Sequence, residues 1–321
     1  MNSGRPKERL FRGGGGTYDD SVPLPQPPPW RRPRPEDEAC RRRPYLIGGK
    51  QVEVVNAALR LRRPLLVTGD PGTGKSSLAH AVAAELGLGP VLVWPVNTRA
   101  TLTDALYRYD AIGRLRERQD GTDDIGSFVR LGPLGTALAT RHEGRPRLLL
   151  IDELDKSDLD LPNDLLFVLE EGEFAIPELA RLPEEQAEVA VHVQGSQEKV
   201  RVRQGTVRCQ DFPFVVITSN GEREFPAAFL RRCIRLELPK PGRAQLEGIV
   251  RAHFAEDIHE LETQWARVQD LIKAFTDRRE LGGLATDQLL HAVHLLQQGV
   301  QPEAEHLREA VLRELRSGGA R

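Results

Sequence analysis

From Tyr45 onward, short apolar runs alternate with stretches of helical periodicity. Pro64–Thr68 (PLLVT), Val91–Val96 (VLVWPV), Leu148–Ile151 (LLLI), Phe214–Thr218 (FVVIT) and Ile234–Leu238 (IRLEL) read as strands. Their runs are near-continuously apolar, as expected of strands buried on both faces of a parallel sheet. Ser76–Leu86 (SSLAHAVAAEL) and residues 160–171 carry the spacing of helices between them. This alternation predicts an α/β fold.

Two stretches break the pattern. Val189–Val193 (VAVHV) and Val200–Val207 (VRVRQGTV) alternate apolar with polar around QGSQEK. That is the period of a β-hairpin with one wet face, inserted at about residues 187–209. After Pro239-Lys240-Pro241 the periodicity becomes wholly helical, predicting a separate helical lobe over 241–316. Its candidate helices are Arg243–Phe254, Leu261–Phe275, Ala285–Gln298 and Pro302–Leu315, followed by a tail at 317–321. Residues 1–44 have too few apolar positions for a core and combine Gly13–Gly16, PLPQPPPW and Arg clusters, which predicts a poorly ordered arm. The main α/β domain is then 45–240.

Composition narrows the function little. The formal net charge of −2 over 321 residues makes nucleic acid an unlikely partner for the molecule as a whole. No apolar run approaches the ~20 residues of a membrane span. The N-terminus, MNSGRPKERLFRGGGG, lacks the apolar core of a secretory signal. Cys40, Cys209 and Cys233 are far apart, which argues against a disulfide framework or zinc ribbon. A reduced, cytoplasmic protein is expected.

Chemistry is concentrated at strand ends. Gly69-Asp70-Pro71-Gly72-Thr73-Gly74-Lys75-Ser76 fits GxxxxGK[ST], between a strand and a helix that begins Ser76-Ser77. Glycines let successive N–H groups curl around a phosphate, and the helix N-terminus adds positive potential. Lys75 is expected on the β and γ phosphates of ATP, and the Ser76 hydroxyl on Mg²⁺. The third strand ends in Asp152-Glu153. Asp152 is placed to hold Mg²⁺, and Glu153 to orient or deprotonate the attacking water. Asp155, Asp158, Asp160 and Asp164 read as solvated helix and cap positions. The fourth strand ends Thr218-Ser219-Asn220, putting an amide between the catalytic strands.

Together, phosphate loop, acidic pair, strand-end Asn220 and helical lobe resemble the AAA+ superfamily over about residues 45–315. DELDKSDLDLPNDLLFVLEEGEF and FPAAFLRRCIRLELP are similar to its MoxR-type branch. The resemblance implies a three-layer αβα core with sheet order 5-1-4-3-2 and a C-terminal all-α lid. It implies that Asn220 is a sensor and that Arg232, or its neighbour Arg231, is an arginine finger acting on an adjacent subunit's nucleotide. It further implies a ring, commonly a hexamer, and an ATPase that remodels or regulates a protein partner. Tyr45, Leu46, Ile47 and Gly48 match the position that lines the adenine pocket. The lid departs from the family: Leu281-Gly282-Gly283-Leu284-Ala285-Thr286 has glycine where relatives tend to carry a basic residue, leaving Arg278 or Arg279 to substitute. That departure keeps a second reading open, a nucleotide-switched scaffold with little turnover. A motor for a DNA-directed defence complex is a third, and GTP in place of ATP stays open. His291 and His294 have helical spacing but no third ligand, and Arg114, Arg116 and Arg118 alternate with acids as a solvated face does.

Overall fold

The computed structural model describes residues 27–31, 45–117, 124–255, 258–281 and 284–300. Five strands form the central sheet: β1 (Leu65–Thr68), β2 (Leu92–Pro95), β3 (Leu148–Asp152), β4 (Phe214–Ser219) and β5 (Ile234–Glu237). All pairs are parallel, in the order β5-β1-β4-β3-β2. This is the 5-1-4-3-2 order, so the strands of the phosphate loop and the acidic pair flank β4.

Alternate residues of each strand point to opposite faces, and both faces are covered. Leu65, Val67, Leu148, Leu150, Phe214 and Val216 pack under α1 (Gly49–Leu61) and α2 (Lys75–Leu86). Leu66, Leu149, Ile151, Val215 and Ile217 face α3 (Pro133–Ala139), α4 (Leu161–Glu171) and α5 (Ala227–Arg232). Double coverage is why these strands read as unbroken apolar runs.

The inserted hairpin belongs to a larger element. A second sheet has the strand order Tyr107–Tyr109, Val129–Leu131, Glu188–His192, Lys199–Arg203, Thr206–Arg208, Glu173–Ala175. The run expected over 200–207 is two strands, because Gln204 and Gly205 take φ of 49° and 67° and turn the chain. A two-residue turn with both φ positive matches the twist of the strands it joins.

Beyond β5, α6 (Arg243–His253), α7 (Trp265–Leu281) and α8 (Thr286–Gln297) share their own core, including Leu246, Val250, Phe254, Ile272, Phe275 and Val293. The expected helix from Leu261 divides, with a short helix at Ile258–Thr263 before α7. Trp30, part of the segment expected to be poorly ordered, packs edge-on to Phe254 with ring centroids 5.8 Å apart, and lies 5.6 Å from His291 and 5.9 Å from His294. These aromatic contacts fit the structural reading of the two histidines. The rest of the arm, Cys40, Arg118, Gly282, Gly283, the helix expected at Pro302–Leu315 and the tail lie outside the described residues.

Candidate functional site

β1 ends at Thr68 and the chain curls through Gly69–Gly74 into α2. Gly69, Gly72 and Gly74 have φ of 147°, 76° and 89°, a region that L side chains rarely occupy. The curl buries Lys75, 7% exposed, against the sheet. Its ammonium donates to the carbonyls of Gly69 at 2.7 Å and Asp70 at 2.9 Å. Burial lowers the Lys75 pKa from its ordinary value, opposed by the charges of Asp155, Asp70, Asp152 and Glu153. Thr73 Oγ1 donates to the Asp70 carbonyl at 2.8 Å, and the Asp70 carboxylate pairs with Lys240 at 3.0 Å. Pro71 is exposed, and Ser77 sits half-buried in the first turn of α2.

The sheet order brings the remaining carboxylates here. Ser76 Oγ donates to Asp152 Oδ1 at 2.7 Å, and Thr218 Oγ1 donates to the same oxygen at 2.6 Å. Thr218 Oγ1 in turn accepts the Glu153 N–H at 2.8 Å. Glu153 has φ 61° and ψ 48°, a left-handed conformation that an L residue adopts only when its surroundings hold it there. Its carboxylate is ion-paired with Lys156 at 2.8 Å. That hydrogen bond is the main reason the Lys156 pKa is raised. The converging Ser76 hydroxyl and Asp152 carboxylate are hard oxygen donors, the kind that hold Mg²⁺ together with substrate phosphates. Among the described residues, no three His, Cys, Asp or Glu side chains cluster as a protein-only metal cage.

Asp155 corrects the sequence reading. It is not solvated: it is 3% exposed, and its Oδ2 accepts the N–H groups of Asn220 at 2.9 Å and Glu222 at 3.1 Å. Asp155 therefore fixes where Asn220 leaves β4. Thr218, Asp155 and Lys156 were all missed as site residues. The only sequence signals were a hydroxyl inside an apolar strand and polar residues immediately after the acidic pair.

Tyr45–Gly48 runs beside the loop. The Tyr45 ring lies so close to Gly74 that a Cβ there would meet its Cε2 at 3.0 Å. Burial pushes the Tyr45 hydroxyl up to about 12. Ile47 packs against the core beneath α1, Gly48 precedes that helix, and Gln245 of α6 donates to the Leu46 carbonyl at 2.9 Å. The helical lobe also touches the loop directly: a Cβ on Gly72 would meet Ala285 Cβ at 2.4 Å and Thr286 N at 3.0 Å. Arg279 is committed elsewhere, donating to the Pro241 carbonyl at 2.8 Å with its guanidinium 5.6 Å from the Phe275 ring.

Arg231 and Arg232 are not brought to this site. They precede β5, whose first residue Ile234 is in register with Leu65 at the start of β1, the opposite end from the loop. A strand of this length puts roughly 10 Å between those ends. Arg231 is exposed; Arg232 ion-pairs with Glu170 at the end of α4 and donates to the Ala228 carbonyl at 3.3 Å. Both backbone carbonyls accept from Arg63, at 2.5 Å and 3.0 Å. A cavity of about 270 Å³ opens beside this pair, lined also by Phe212 and Phe229.

Residues 64–233, more than half of the chain, match the family model described as AAA domain (dynein-related subfamily). Among solved structures, the chain is similar to NtrX from Brucella abortus in complex with ADP, at 15% identity and a TM-score of 0.43 over 81% of this chain and 52% of that one. It is also similar to NtrX from the same organism in complex with ATP, at 17% identity and a TM-score of 0.42 over 82% of this chain and 55% of that one. The chain thus spans about half the length of these solved structures.

Proposed function

Because the chain belongs to the dynein-related subfamily of AAA domains, we propose that it binds ATP with Mg²⁺ at Gly69–Ser76 and hydrolyses it to remodel or regulate a protein partner. The observation that carries this reading is the hydroxyl relay joining Ser76, Asp152, Thr218 and Glu153. It links the phosphate loop to the acidic pair through one buried threonine.

In this reading the loop N–H groups and Lys75 hold the phosphates, and the Tyr45–Gly48 strap borders the base. Ser76 and Asp152 hold Mg²⁺, which neutralises phosphate charge when bound. Glu153 takes a proton from water as the water oxygen bonds to the γ-phosphorus and the bond to the β-γ bridging oxygen breaks. Asn220 orients that water or the γ-phosphate. Arg232, with Arg231 beside it, stabilises the transferring group on a neighbouring subunit. Its location at the far end of the sheet supports action in trans, hence a ring, with a hexamer the natural size. The segment Asp152–Phe174 supports placing the chain in the MoxR-like branch, with an α/β domain at 45–240 and a lid from 241. Free thiols at Cys209 and Cys233 fit a reducing, cytoplasmic setting.

A second reading, a nucleotide-switched scaffold with little turnover, is favoured by two contacts: Glu153 is paired with Lys156, and Arg279 is held at Pro241. Steady-state phosphate release separates the two. Wild type is expected to turn over and Glu153→Gln to lose turnover while still assembling with ATP, as read by light scattering. No turnover in either, with ATP-dependent assembly kept, leaves the scaffold. Pull-down with Glu153→Gln and ATP then captures the partner.

A further inference from the structure

The second sheet has two unlike faces. One packs Val129, Leu131, Val189, Val191, Val202 and Val207 into the core. The other holds Arg108, Arg130, Lys199, Arg201, Arg203 and Arg208, with only Glu173 and Glu188 as strand carboxylates. Register places them together: Arg108 lies opposite Arg130, Arg130 opposite His192, and His192 opposite Lys199. Arg201 faces Ala190, Arg203 faces Glu188, and Arg208 faces Glu173. Like charges directly across a ladder are destabilising, and a merely wet face would be built more cheaply with threonine or carboxylates there. Neighbouring acids only partly offset the charge. Arg208 pairs with Glu173 at 2.6 Å, whereas Asp104–Arg108 and Asp124–Lys199 are 3.9 Å apart. Burial, then Lys199 and Arg130, hold the His192 pKa below its usual value, with Asp124 opposing.

We propose that this face binds double-stranded nucleic acid through its phosphate backbone, without sequence preference. Five of the six cations are arginine, whose planar fork suits phosphate. Six strands spaced by about 4.8 Å give a platform about 24 Å wide, with cations on alternate residues about 6.8 Å apart. Duplex DNA offers one phosphate charge per ~1.7 Å of axis to such an array. Among the described residues the half-buried His192 imidazole is the one aromatic ring on this face: Tyr107, Tyr109 and Phe174 lie on the core side, so successive bases of a single strand find no row of rings to stack on. Ala175 and Ala190 are its apolar side chains, too small to anchor a peptide. The net charge of −2, which argues against nucleic acid for the molecule as a whole, averages over the full chain, whereas these six cations gather on one sheet face.

The inference is independent of ATP turnover, and its test needs none. The full chain is titrated against a fluorescent mixed-sequence 20-bp duplex DNA, following anisotropy from 50 to 200 mM NaCl. Arg130→Ala/Arg201→Ala/Arg203→Ala is expected to bind at least tenfold more weakly at 50 mM. Its log–log salt dependence should be flatter by about 2–3, near 0.9 per lost phosphate contact. Unchanged ATP-analogue affinity in the same variant reports an intact fold, and the corresponding triple Arg→Lys variant should hold the duplex within about threefold. The proposal is overturned if wild type does not bind at 50 mM, or if the alanine variant binds as wild type does. It is also overturned, in favour of an acidic protein segment, if polyglutamate of matched charge binds more tightly than the duplex.

Discussion

Thr218→Val removes one buried hydroxyl and leaves the side-chain shape nearly unchanged. The hydroxyl has two jobs, donating to Asp152 at 2.6 Å and accepting from the Glu153 N–H at 2.8 Å. Without it the Glu153 N–H loses its acceptor, a loss of about 1–3 kcal/mol, and Asp152 loses one of its two side-chain donors. The two losses share an atom and are not additive, so about 2–3 kcal/mol is the combined expectation. At about 2–4 °C per kcal/mol for a large domain, the melting temperature should fall by about 5–10 °C. Activity should fall further than stability implies, because the left-handed Glu153 backbone is then freer to relax and carry its carboxylate away. A 10- to 100-fold drop in kcat corresponds to about 1.4–2.7 kcal/mol. ATP affinity should hold, since the Lys75 ammonium bonds to the Gly69 and Asp70 carbonyls and not to Thr218. Scanning fluorimetry, phosphate release and fluorescent-nucleotide titration read the three effects, and Thr218→Ser should restore all of them. Wild-type melting and turnover in Thr218→Val would refute the relay as the device that sets Glu153.

Gly72→Ala sets a methyl group against Ala285 and Thr286 in addition to its positive φ, so the lobe must move off the loop; a melting temperature and ATP affinity equal to wild type would show that the contact is dispensable. The Lys75 pKa is lowered by burial, so its burial penalty is fully present at neutral pH, where folded and unfolded chains both carry the charge. As pH rises through the lowered folded value towards the ordinary 10.5, that penalty is released while the phosphate grip is lost. ATP affinity should therefore weaken at a pH below the usual lysine range, and a dissociation constant that stays flat until that range is reached would contradict this. Arg232→Ala and Lys75→Ala should each abolish phosphate release, yet mixing them should recover some of it, because an intact finger then meets an intact loop; no recovery in co-assembled mixtures argues against action in trans.

Much of this was legible in the chain. Strands buried on both faces must be apolar throughout, so the five core strands announced themselves, and a phosphate-curling loop requires glycines and a lysine at fixed offsets. That Asp152 and Glu153 would stand beside the loop was legible because both follow an apolar strand, and a strand end is where an α/β sheet presents ligand groups. Asp155 was misread because surface and buried carboxylates look alike in a sequence. What buries it is the crossing of β4 beside β3, which supplies the N–H groups of Asn220 and Glu222.

The same distinction holds for the whole protein. Local spacing determined which residues could grip a phosphate, because loop curvature and helix start are properties of neighbours in the chain. Only the tertiary structure decided that Thr218, 65 residues from Glu153, closes the relay between Ser76 and that glutamate. It also decided that Arg232 stands at the opposite end of the sheet from its own loop. And it decided that arginines scattered from position 108 to 208 share one face, because cross-strand register is set by pairing partners that the chain does not name in advance.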